Sequence, residues 1–488
     1  MPFFQKDLNR CYRKGNETYY QKTHYLRWVA RAEIMGNAYC CQPMSLFSPV
    51  FSKEYYRLSL KVLETALNQV PAYEPWRAFD PGDDCHVDFR YASMPVLTKE
   101  DIRNHSPQGF VPMDRNIQEG SMNKEIEFVE TSGTVNERVT NIWNQKWWDA
   151  SERASWKLNS YTSKIMNGSH LEAILANPLN VGYKSDDKPL PMEKRKLARF
   201  LYLNEKTNPL SWSRKHMDRM AKELEKFKPE VLEANPSLLA KLCRYIIESG
   251  KIVFQPGLIV LTYELPTSFH YRQISQVFNV PIGSSYGSTE TGYVFMQCEH
   301  GKFHQNTEFC RVDFQPLKPE HGGPFLGRIL VTTFNNLWYY IVRFDIGDLV
   351  RLDESGSYPC GRESGLTLSA VEGRTNDVTL TCNGRLVTMR ELDNALNVLE
   401  DIDEYQLRQE TQETYHLHIV TRRKDKRTLS REAAEILGKL YGEKAEITVS
   451  YEKAVAPEPS GKYRVSGALF PIKIDAFIDE RRCLQKKM

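Results

Sequence analysis

Short apolar runs that end in small polar residues and lead into a helix constrain the fold of this chain more than any other feature of its sequence. In the first unit, "EIEFVE" (125–130) reads as a strand, "TSGTVNER" (131–138) as a glycine-bearing loop and "KWWDASERASWKLNSY" (146–161) as a helix. Further apolar runs at 257–264 and 278–283 are bounded by turn residues and separated by a helical segment. Strand, glycine-bearing loop and helix in this order are typical of an α/β protein. We therefore predict an α/β fold.

The two ends of the chain read differently from this middle part. Residues 1 to about 95 have a mostly helical pattern, which is clearest at 53–70. The stretch "VEGRTND" (371–377) looks like a boundary. The segments after it alternate as in a compact α+β unit, with a hairpin turn at Asn383-Gly384. We expect a large N-terminal domain over 1–373 and a small C-terminal α+β domain over 374–488.

The charge balance argues against nucleic-acid binding, because 65 basic residues stand against 62 acidic ones and leave a net charge of only +3. No uninterrupted apolar run approaches the roughly 18 residues of a membrane-spanning helix, and the first residues lack the apolar core of a signal peptide. The ten cysteines are scattered without a regular framework. These features predict a cytoplasmic protein with reduced thiols and no membrane partner. They leave its oligomeric state open, a homodimer included.

Two polar stretches that follow strands have side chains suited to a nucleotide. The hydroxyls and backbone N–H groups of "TSGTVNER" can cradle phosphate oxygens, although the loop lacks the Walker pattern and reads equally as a polar strand-to-helix turn. In "SSYGSTETG" (284–292), Ser288 and Thr289 have hydroxyls for a phosphate, Glu290 has a carboxylate for Mg²⁺, and Tyr286 has a ring for a base. A loop that caps a strand is the alternative for that stretch.

Two later segments offer a carboxylate and a lysine. "RFDIGDLVRL" (343–352) holds Asp345 and Asp348 on either side of a glycine. A carboxylate there accepts hydrogen bonds from two ribose hydroxyls, or it only stabilises a turn. "PEPSGKYRVSG" (457–467) presents Lys462 on a loop of proline, serine and glycine, where an ordinary solvated lysine is the alternative.

In their order and spacing these segments resemble the acyl-adenylate-forming superfamily, which contains the acyl- and aryl-CoA ligases. That family has a Ser/Thr/Gly-rich loop, then Y-G-x-T-E, G-D, G-R at a hinge, and a G-K near its C-terminus. The matching positions here are Thr131 to Thr134, Tyr286 to Glu290, Gly347-Asp348, Gly373-Arg374 and Gly461-Lys462. The resemblance runs from about residue 90 to about residue 470. Within the superfamily, "CEHGKFHQN", "RFDIGDLVRL" and "CGRESGL" look most like the phenylacetate-CoA ligase branch.

The resemblance implies a cleft between a large N-terminal domain and a small mobile C-terminal one, and it assigns roles to residues. Lys462, Glu290 and Thr289 would be catalytic, with Lys462 reaching the attacking carboxylate and the α-phosphate of ATP. Glu290 would also bind Mg²⁺. Nucleotide contacts would come from the two polar stretches and from the G-D and G-R positions, that is from Thr131, Ser132, Gly133, Thr134, Tyr286, Gly287, Ser288, Asp348 and Arg374.

The implied reaction has two steps. A small carboxylic acid would react with ATP to give acyl-AMP and pyrophosphate, and a thiol such as that of coenzyme A would then displace AMP. The C-terminal domain would rotate between the steps about Asn376-Asp377. The acceptor stays open, because a carrier protein acting in trans or an amine would serve as well. A relative that binds nucleotide without catalysis is a further alternative, because Val135 and Asn136 depart from the family's T-S-G-T-T-G loop.

The same branch resemblance implies a structural zinc site made from "CEHGKFH" (298–304) and "YPCGR" (358–362). Cys298, His304 and Cys360 match its ligands, but Tyr358 stands where a further cysteine is expected. His300 is the substitute that the sequence offers. Since a structural zinc site usually has four ligands, ordinary residues beside a turn are the alternative.

Overall fold

A large mixed sheet organises the part of the chain that the computed structural model describes, which comprises residues 49–130, 139–166, 168–182, 185, 187–458 and 461–480. Within these residues the sheet has twelve strands in the order β11-β12-β13-β14-β10-β9-β8-β7-β6-β3-β5-β4. Their bounds are β3 Glu172–Leu175, β4 Lys196–Leu197, β5 Phe200–Tyr202, β6 Val231–Ala234, β7 Leu258–Leu261, β8 Ile282–Ser288, β9 Gly292–Gln297, β10 Phe303–Gln305, β11 Cys310–Pro316, β12 Leu326–Thr333, β13 Phe344–Leu352 and β14 Thr367–Arg374. A separate antiparallel ribbon pairs β1 (Glu127–Glu130) with β2 (Thr140–Trp143).

The sheet changes character at β8. Strands β5, β3, β6, β7 and β8 run parallel, whereas β8 and β9 form an antiparallel hairpin and the strands beyond it are also antiparallel. Parallel strands end on the same edge of a sheet, and the residues that follow them therefore lie close together. In open α/β sheets, ligands bind at that edge.

Helices cover both faces of the parallel part. One face packs on α7 (Arg214–Phe227), α8 (Pro236–Ser249) and α9 (Ser268–Ser275) through a core of Leu, Ile, Ala and Met side chains. On the other face, α5 (Gln145–Trp156) places Trp156 against Val231, Leu258 and Val260. The N-terminal helices α1 (Lys53–Gln69), α2 (Val87–Ser93), α3 (Lys99–His105) and α4 (Ile117–Met122), together with the short α6 (Met192–Arg195), complete this half of the chain.

A smaller α+β unit follows β14. It contains the hairpin β15 (Thr379–Leu380) and β16 (Leu386–Val387), the helices α10 (Met389–Leu396) and α11 (Lys426–Tyr441), and a four-stranded sheet in the order β19-β18-β17-β20. The strands of that sheet are β17 Ile402–Gln409, β18 Thr414–Thr421, β19 Glu446–Tyr451 and β20 Ser466–Ala468. It contacts the preceding part through α9, where the Ser268 N–H donates to Asp393 at 2.7 Å.

The predicted α/β architecture is confirmed, as is the helix at 53–70, which begins after Ser52 and ends at Gln69. Two strands begin later than the apolar runs in which they start, which cover 278–283 and 339–352 in the sequence. Residues 278–281 precede β8 because Pro281 has no N–H and the Asn279 N–H is held by Gln255. Residues 339–343 bond elsewhere, since the Tyr340 N–H donates to Phe110 and the Val342 N–H donates to the Tyr73 hydroxyl. Among the described helices, none is long and apolar enough to cross a bilayer.

Candidate active site

The stretch "SSYGSTETG" forms the end of β8, a tight turn and the start of β9. Residues 289–291 make the turn, and the Ser288 and Thr291 hydroxyls lie 3.0 Å apart across it. A Cβ on Gly287 would lie 2.0 Å from the Gly292 carbonyl oxygen, so only glycine fits the close approach of the two strands. The turn buries Glu290, which is 6% exposed, and leaves Thr289 half-buried. The stretch is therefore a β-hairpin, and its nucleotide contacts stay a prediction.

Asp348 connects that hairpin to the antiparallel half of the sheet. The register of β13 and β14 places Asp348 opposite Arg374, whose Nε lies 3.5 Å from Asp348 Oδ1. The Tyr286 hydroxyl donates to Asp348 Oδ2 at 2.7 Å. Burial and the neighbouring Asp348 hold the pKa of Tyr286 well above its usual value, and Asp348 raises the pKa of Arg374. Asp348 therefore links β8 to the neighbouring strands β13 and β14.

Asp345 has a different environment, although it lies only three residues before Asp348 in β13. Its carboxylate accepts hydrogen bonds from Arg328 at 3.0 Å and from the Gly347 N–H at 2.9 Å. Both contacts are within the antiparallel strands β12 and β13. Asp345 and Asp348 thus have different partners, although the residue pattern of this stretch did not distinguish them as ligands for a ribose.

Lys462 comes to the same place from the far end of the chain. The next residue, Tyr463, donates its N–H to Glu264 Oε1 at 2.9 Å, while the Ser237 hydroxyl donates to Glu264 Oε2 at 2.8 Å. Burial and the nearby Arg374 lower the pKa of Lys462, whereas Glu264, Asp348 and Glu290 act in the opposite direction. The ammonium group of Lys462 thus lies within electrostatic range of the carboxylates of the sheet edge.

The loop that carries Lys462 fits closely against the edge of the parallel strands. Gly461 has a φ of +79°, and a Cβ there would lie 2.3 Å from Asn177 Nδ2. Asn177 itself follows β3 and donates to the Thr207 carbonyl at 2.7 Å. Glycine is required at this position for its backbone angle and for its size. At the predicted pivot, Asp377 accepts a hydrogen bond from the Arg464 guanidinium at 3.1 Å.

The structure therefore brings together Tyr286, Glu290, Asp348, Arg374 and Lys462, which the sequence separates by up to 176 positions. The phosphate-loop residues Thr131, Ser132, Gly133 and Thr134, and the departures at Val135 and Asn136, lie outside the described residues. Sequence reasoning missed Glu264. Its only signal was its position directly after the apolar run of β7, where acids at a strand end are common.

The predicted metal ligands also cluster. The donor atoms of Cys298, His304 and Cys360 lie within 4.8 Å of one another, and Cys360 Sγ is 3.2 Å from His304 Nε2. Two thiols and an imidazole are a donor set that suits zinc. No fourth ligand joins them among the described residues: His300 is exposed and not part of the cluster. The Tyr358 ring centre lies 6.4 Å from that of His304.

Comparison with known proteins gives relatives of low sequence identity. No protein-family model matches the chain. CapK of Staphylococcus aureus is 24% identical over 286 residues, a match that covers 57% of this chain and 62% of CapK. The match therefore spans less than two thirds of that relative's length.

Solved structures are similar over almost the whole chain. A 2-hydroxyisobutyryl-CoA ligase in the postadenylation state, in complex with 2-HIB-AMP, superimposes with a TM-score of 0.66 at 16% identity and covers 92% of this chain and 96% of its own. The same ligase with 2-HIB-AMP and CoA in the thioesterification state gives a TM-score of 0.51 at 16% identity, with 92% and 97% covered. The chain therefore has the fold of this CoA ligase.

Proposed function

We propose that the protein activates a small carboxylic acid with ATP, giving acyl-AMP and pyrophosphate, and then transfers the acyl group to a thiol such as that of coenzyme A. One observation supports this above the others. The Lys462 ammonium group lies within electrostatic range of Asp348, Glu290 and Arg374, at the end of β8.

In this proposal each side chain of the candidate active site contacts a defined part of the nucleotide. Tyr286 packs on adenine, Asp348 accepts hydrogen bonds from the ribose hydroxyls, and Arg374 lies beside them. Thr289 contacts the α-phosphate. The backbone of the hairpin and the Ser/Thr/Gly-rich loop hold the other phosphate oxygens through Gly287, Ser288, Thr131, Ser132, Gly133 and Thr134.

Glu290 suits a cation that accompanies the phosphates. It is buried, and its carboxylate accepts no hydrogen bond from the residues that the structure describes. A carboxylate in that condition is a good ligand for Mg²⁺, which prefers oxygen ligands. When bound, Mg²⁺ supplies positive charge to the phosphate oxygens.

Lys462 acts in the first step. An oxygen of the substrate carboxylate forms a bond to the α-phosphorus while the bond from that phosphorus to the pyrophosphate oxygen breaks. In the transition state two negatively charged groups, the substrate carboxylate and the α-phosphate, come together. A fixed ammonium group stabilises them more when they are together than when the reactants are separate. The contact between the Tyr463 N–H and Glu264 fixes the backbone beside Lys462.

The second step needs Lys462 to leave, so that a thiol reaches the acyl carbon. We propose that residues 374–488 rotate as a domain on 1–373 about Asn376-Asp377. The higher TM-score with the postadenylation state than with the thioesterification state of the same ligase supports the view that the present arrangement belongs to the first step.

The direct test is carboxylate-dependent exchange of pyrophosphate into ATP. With ATP, Mg²⁺ and a panel of aryl, fatty and amino acids, we expect exchange with at least one acid and none without acid. Coenzyme A should then consume the acyl-AMP and release AMP. Exchange followed by acyl transfer only to an amine or to a carrier protein would show that this group, and not coenzyme A, is the acceptor. Tight ATP binding without exchange for any acid would favour a nucleotide-binding scaffold.

We also propose that Cys298, His304 and Cys360 hold a structural zinc ion that clips the turn after β9 to the loop before β14. Elemental analysis of protein purified without chelator should give roughly one zinc ion per chain. Cys360→Ser should lower both zinc content and melting temperature, because a bound metal stabilises only the folded state. Cys85→Ser, at a cysteine far from the cluster, is the matched control. Zinc content near zero in the wild-type protein would contradict the proposal.

A further inference from the structure

A cluster of partly exposed polar side chains, here named the recess, lies under α5, on the face of the parallel sheet opposite α7, α8 and α9. Val231 and Val260 pack on Trp156 of α5, so the residue two positions after Val231, Glu233, is on that same face. Glu233 pairs with Ile174 of β3 and with Val260 of β7. Glu152 of α5 faces the sheet here. Both glutamates are half-buried, so they keep some contact with solvent although they lie deep in the protein.

One oxygen of each of these two carboxylates accepts a hydrogen bond from a tyrosine hydroxyl. The Tyr293 hydroxyl donates to Glu152 Oε1 at 2.8 Å, and the Tyr263 hydroxyl donates to Glu233 Oε1. Among the described residues, no hydrogen bond reaches the second oxygen of either carboxylate. Two acceptor atoms are thus left over.

The recess has more negative charge than its own cations neutralise. Glu172, at the start of β3, is held by Arg199 at 2.8 Å and by His170 at 3.1 Å. That guanidinium is the nearby cation in the described part of the chain, and three glutamates share its field. Burial and the neighbouring Glu172 raise the pKa of Glu152 to about 7, and the same two causes raise the pKa of Glu233. A cation beside these two carboxyl groups would favour their charged form and would lower both pKa values.

Two other features of the recess fit a ligand. The Trp148 ring lies 5.1 Å from that of Tyr293, and both are half-buried, so they form an aromatic wall beside Glu152. Aromatic faces attract cations. Ser285 lies two residues beyond Gly283, the partner of Val260, on the same face as Glu233. Its hydroxyl oxygen is buried and has no hydrogen-bond partner within the described ranges.

The recess adjoins the candidate active site. Tyr293 pairs with Gly287 across the β8–β9 hairpin, three residues after Glu290. Tyr263 directly precedes Glu264, the residue that receives the Tyr463 N–H. The recess and the candidate active site thus share the β8–β9 hairpin and the segment that follows β7.

We propose that the acid activated at this site carries an ammonium group, which Glu152 and Glu233 bind in the recess. The proposal rests on the proposed function and narrows its substrate to amino-bearing carboxylic acids. The substrate's carboxylate goes to the cationic side at Lys462 and Arg374, and its ammonium group goes to the anionic side. An uncharged acid would leave the carboxylates of the recess without a counter-charge.

Matched acids test the proposal in the pyrophosphate exchange assay. The probes are β-alanine against propionate, γ-aminobutyrate against γ-hydroxybutyrate and butyrate, and 6-aminohexanoate against hexanoate. Hydrogen bonds to charged groups suggest that an ammonium-bearing acid should be preferred over its uncharged partner by roughly 10- to 100-fold in kcat/KM. Glu152→Gln and Glu233→Gln should each reduce that ratio, because a neutral amide attracts an ammonium group less than a carboxylate does. Glu225→Gln, on the exposed side of α7, is the matched control.

The possible outcomes are distinct. Exchange that is fastest with uncharged acids overturns this inference and leaves the proposed function intact, as does equal exchange with the hydroxyl analogue. An ammonium preference that neither glutamine variant reduces also overturns it. No exchange with any acid, while ATP binds, overturns the proposed function and this inference together. Comparison of the acids with the wild-type protein alone shows whether ammonium-bearing acids are preferred. The test therefore holds even if a variant fails to fold.

Discussion

Lys462→Ala should slow acyl-AMP formation by about 100- to 1000-fold, the range seen when one preorganised charge or donor is removed from a transition state. The reason is the position of the ammonium group beside Asp348, Glu290 and Arg374. Pyrophosphate exchange at saturating ATP and acid measures this step. Transfer of the acyl group from chemically prepared acyl-AMP to the thiol should proceed at the wild-type rate, since Lys462 has no contact to make in that step.

Lys453→Ala is the matched control for this prediction. Lys453 lies on the same C-terminal segment, nine residues earlier, and is exposed. Its loss should leave both half-reactions unchanged. If Lys462→Ala slows both half-reactions equally, the lysine has a structural role in the fold. If it slows neither, the assignment of Lys462 to the reaction is wrong.

The residues that meet at Asp348 could be anticipated from the sequence only through the ordered motifs. Tyr286 and Asp348 are 62 positions apart, and composition or periodicity gives no reason to join them. The resemblance predicted that they share a nucleotide site, and the structure places the hydroxyl of one on the carboxylate of the other. Short-range patterns located the strands themselves, because buried strands in a parallel sheet read as continuous apolar runs.

Contacts that depend on packing between distant segments could not be predicted. Glu264 and Tyr463 are 199 positions apart, and nothing in the two stretches that hold them indicates that they meet. Glu152 and Glu233 look like ordinary surface acids in the sequence. Only the docking of α5 on the sheet brings them to one recess, and helix docking follows from side-chain volumes that no local pattern encodes. The same limit explains residues 339–343, where the Tyr73 hydroxyl takes the place of a neighbouring strand.

Asp348→Asn should weaken ATP binding by roughly 10- to 100-fold, because a carboxylate that accepts two hydroxyl hydrogen bonds contributes more than a neutral amide. The carboxylate lies between Tyr286 and Arg374, which orient its oxygens. Titration of ATP by calorimetry measures the affinity directly. Asp345→Asn is the matched control on the same strand, since Asp345 faces Arg328 and the Gly347 N–H and should not touch the nucleotide.

ATP analogues make the role of Asp348 specific to the ribose. The wild-type protein should bind deoxyribose analogues that lack the 2′ or the 3′ hydroxyl more weakly than ATP. In Asp348→Asn that difference should shrink to near zero, because the side chain that senses the hydroxyls is no longer charged, whereas Asp345→Asn should keep the full difference. A general loss of stability would weaken ATP and its analogues alike and would preserve their ratio. An unchanged ratio in Asp348→Asn would therefore remove the ribose role and leave Asp348 as a structural link between β8, β13 and β14.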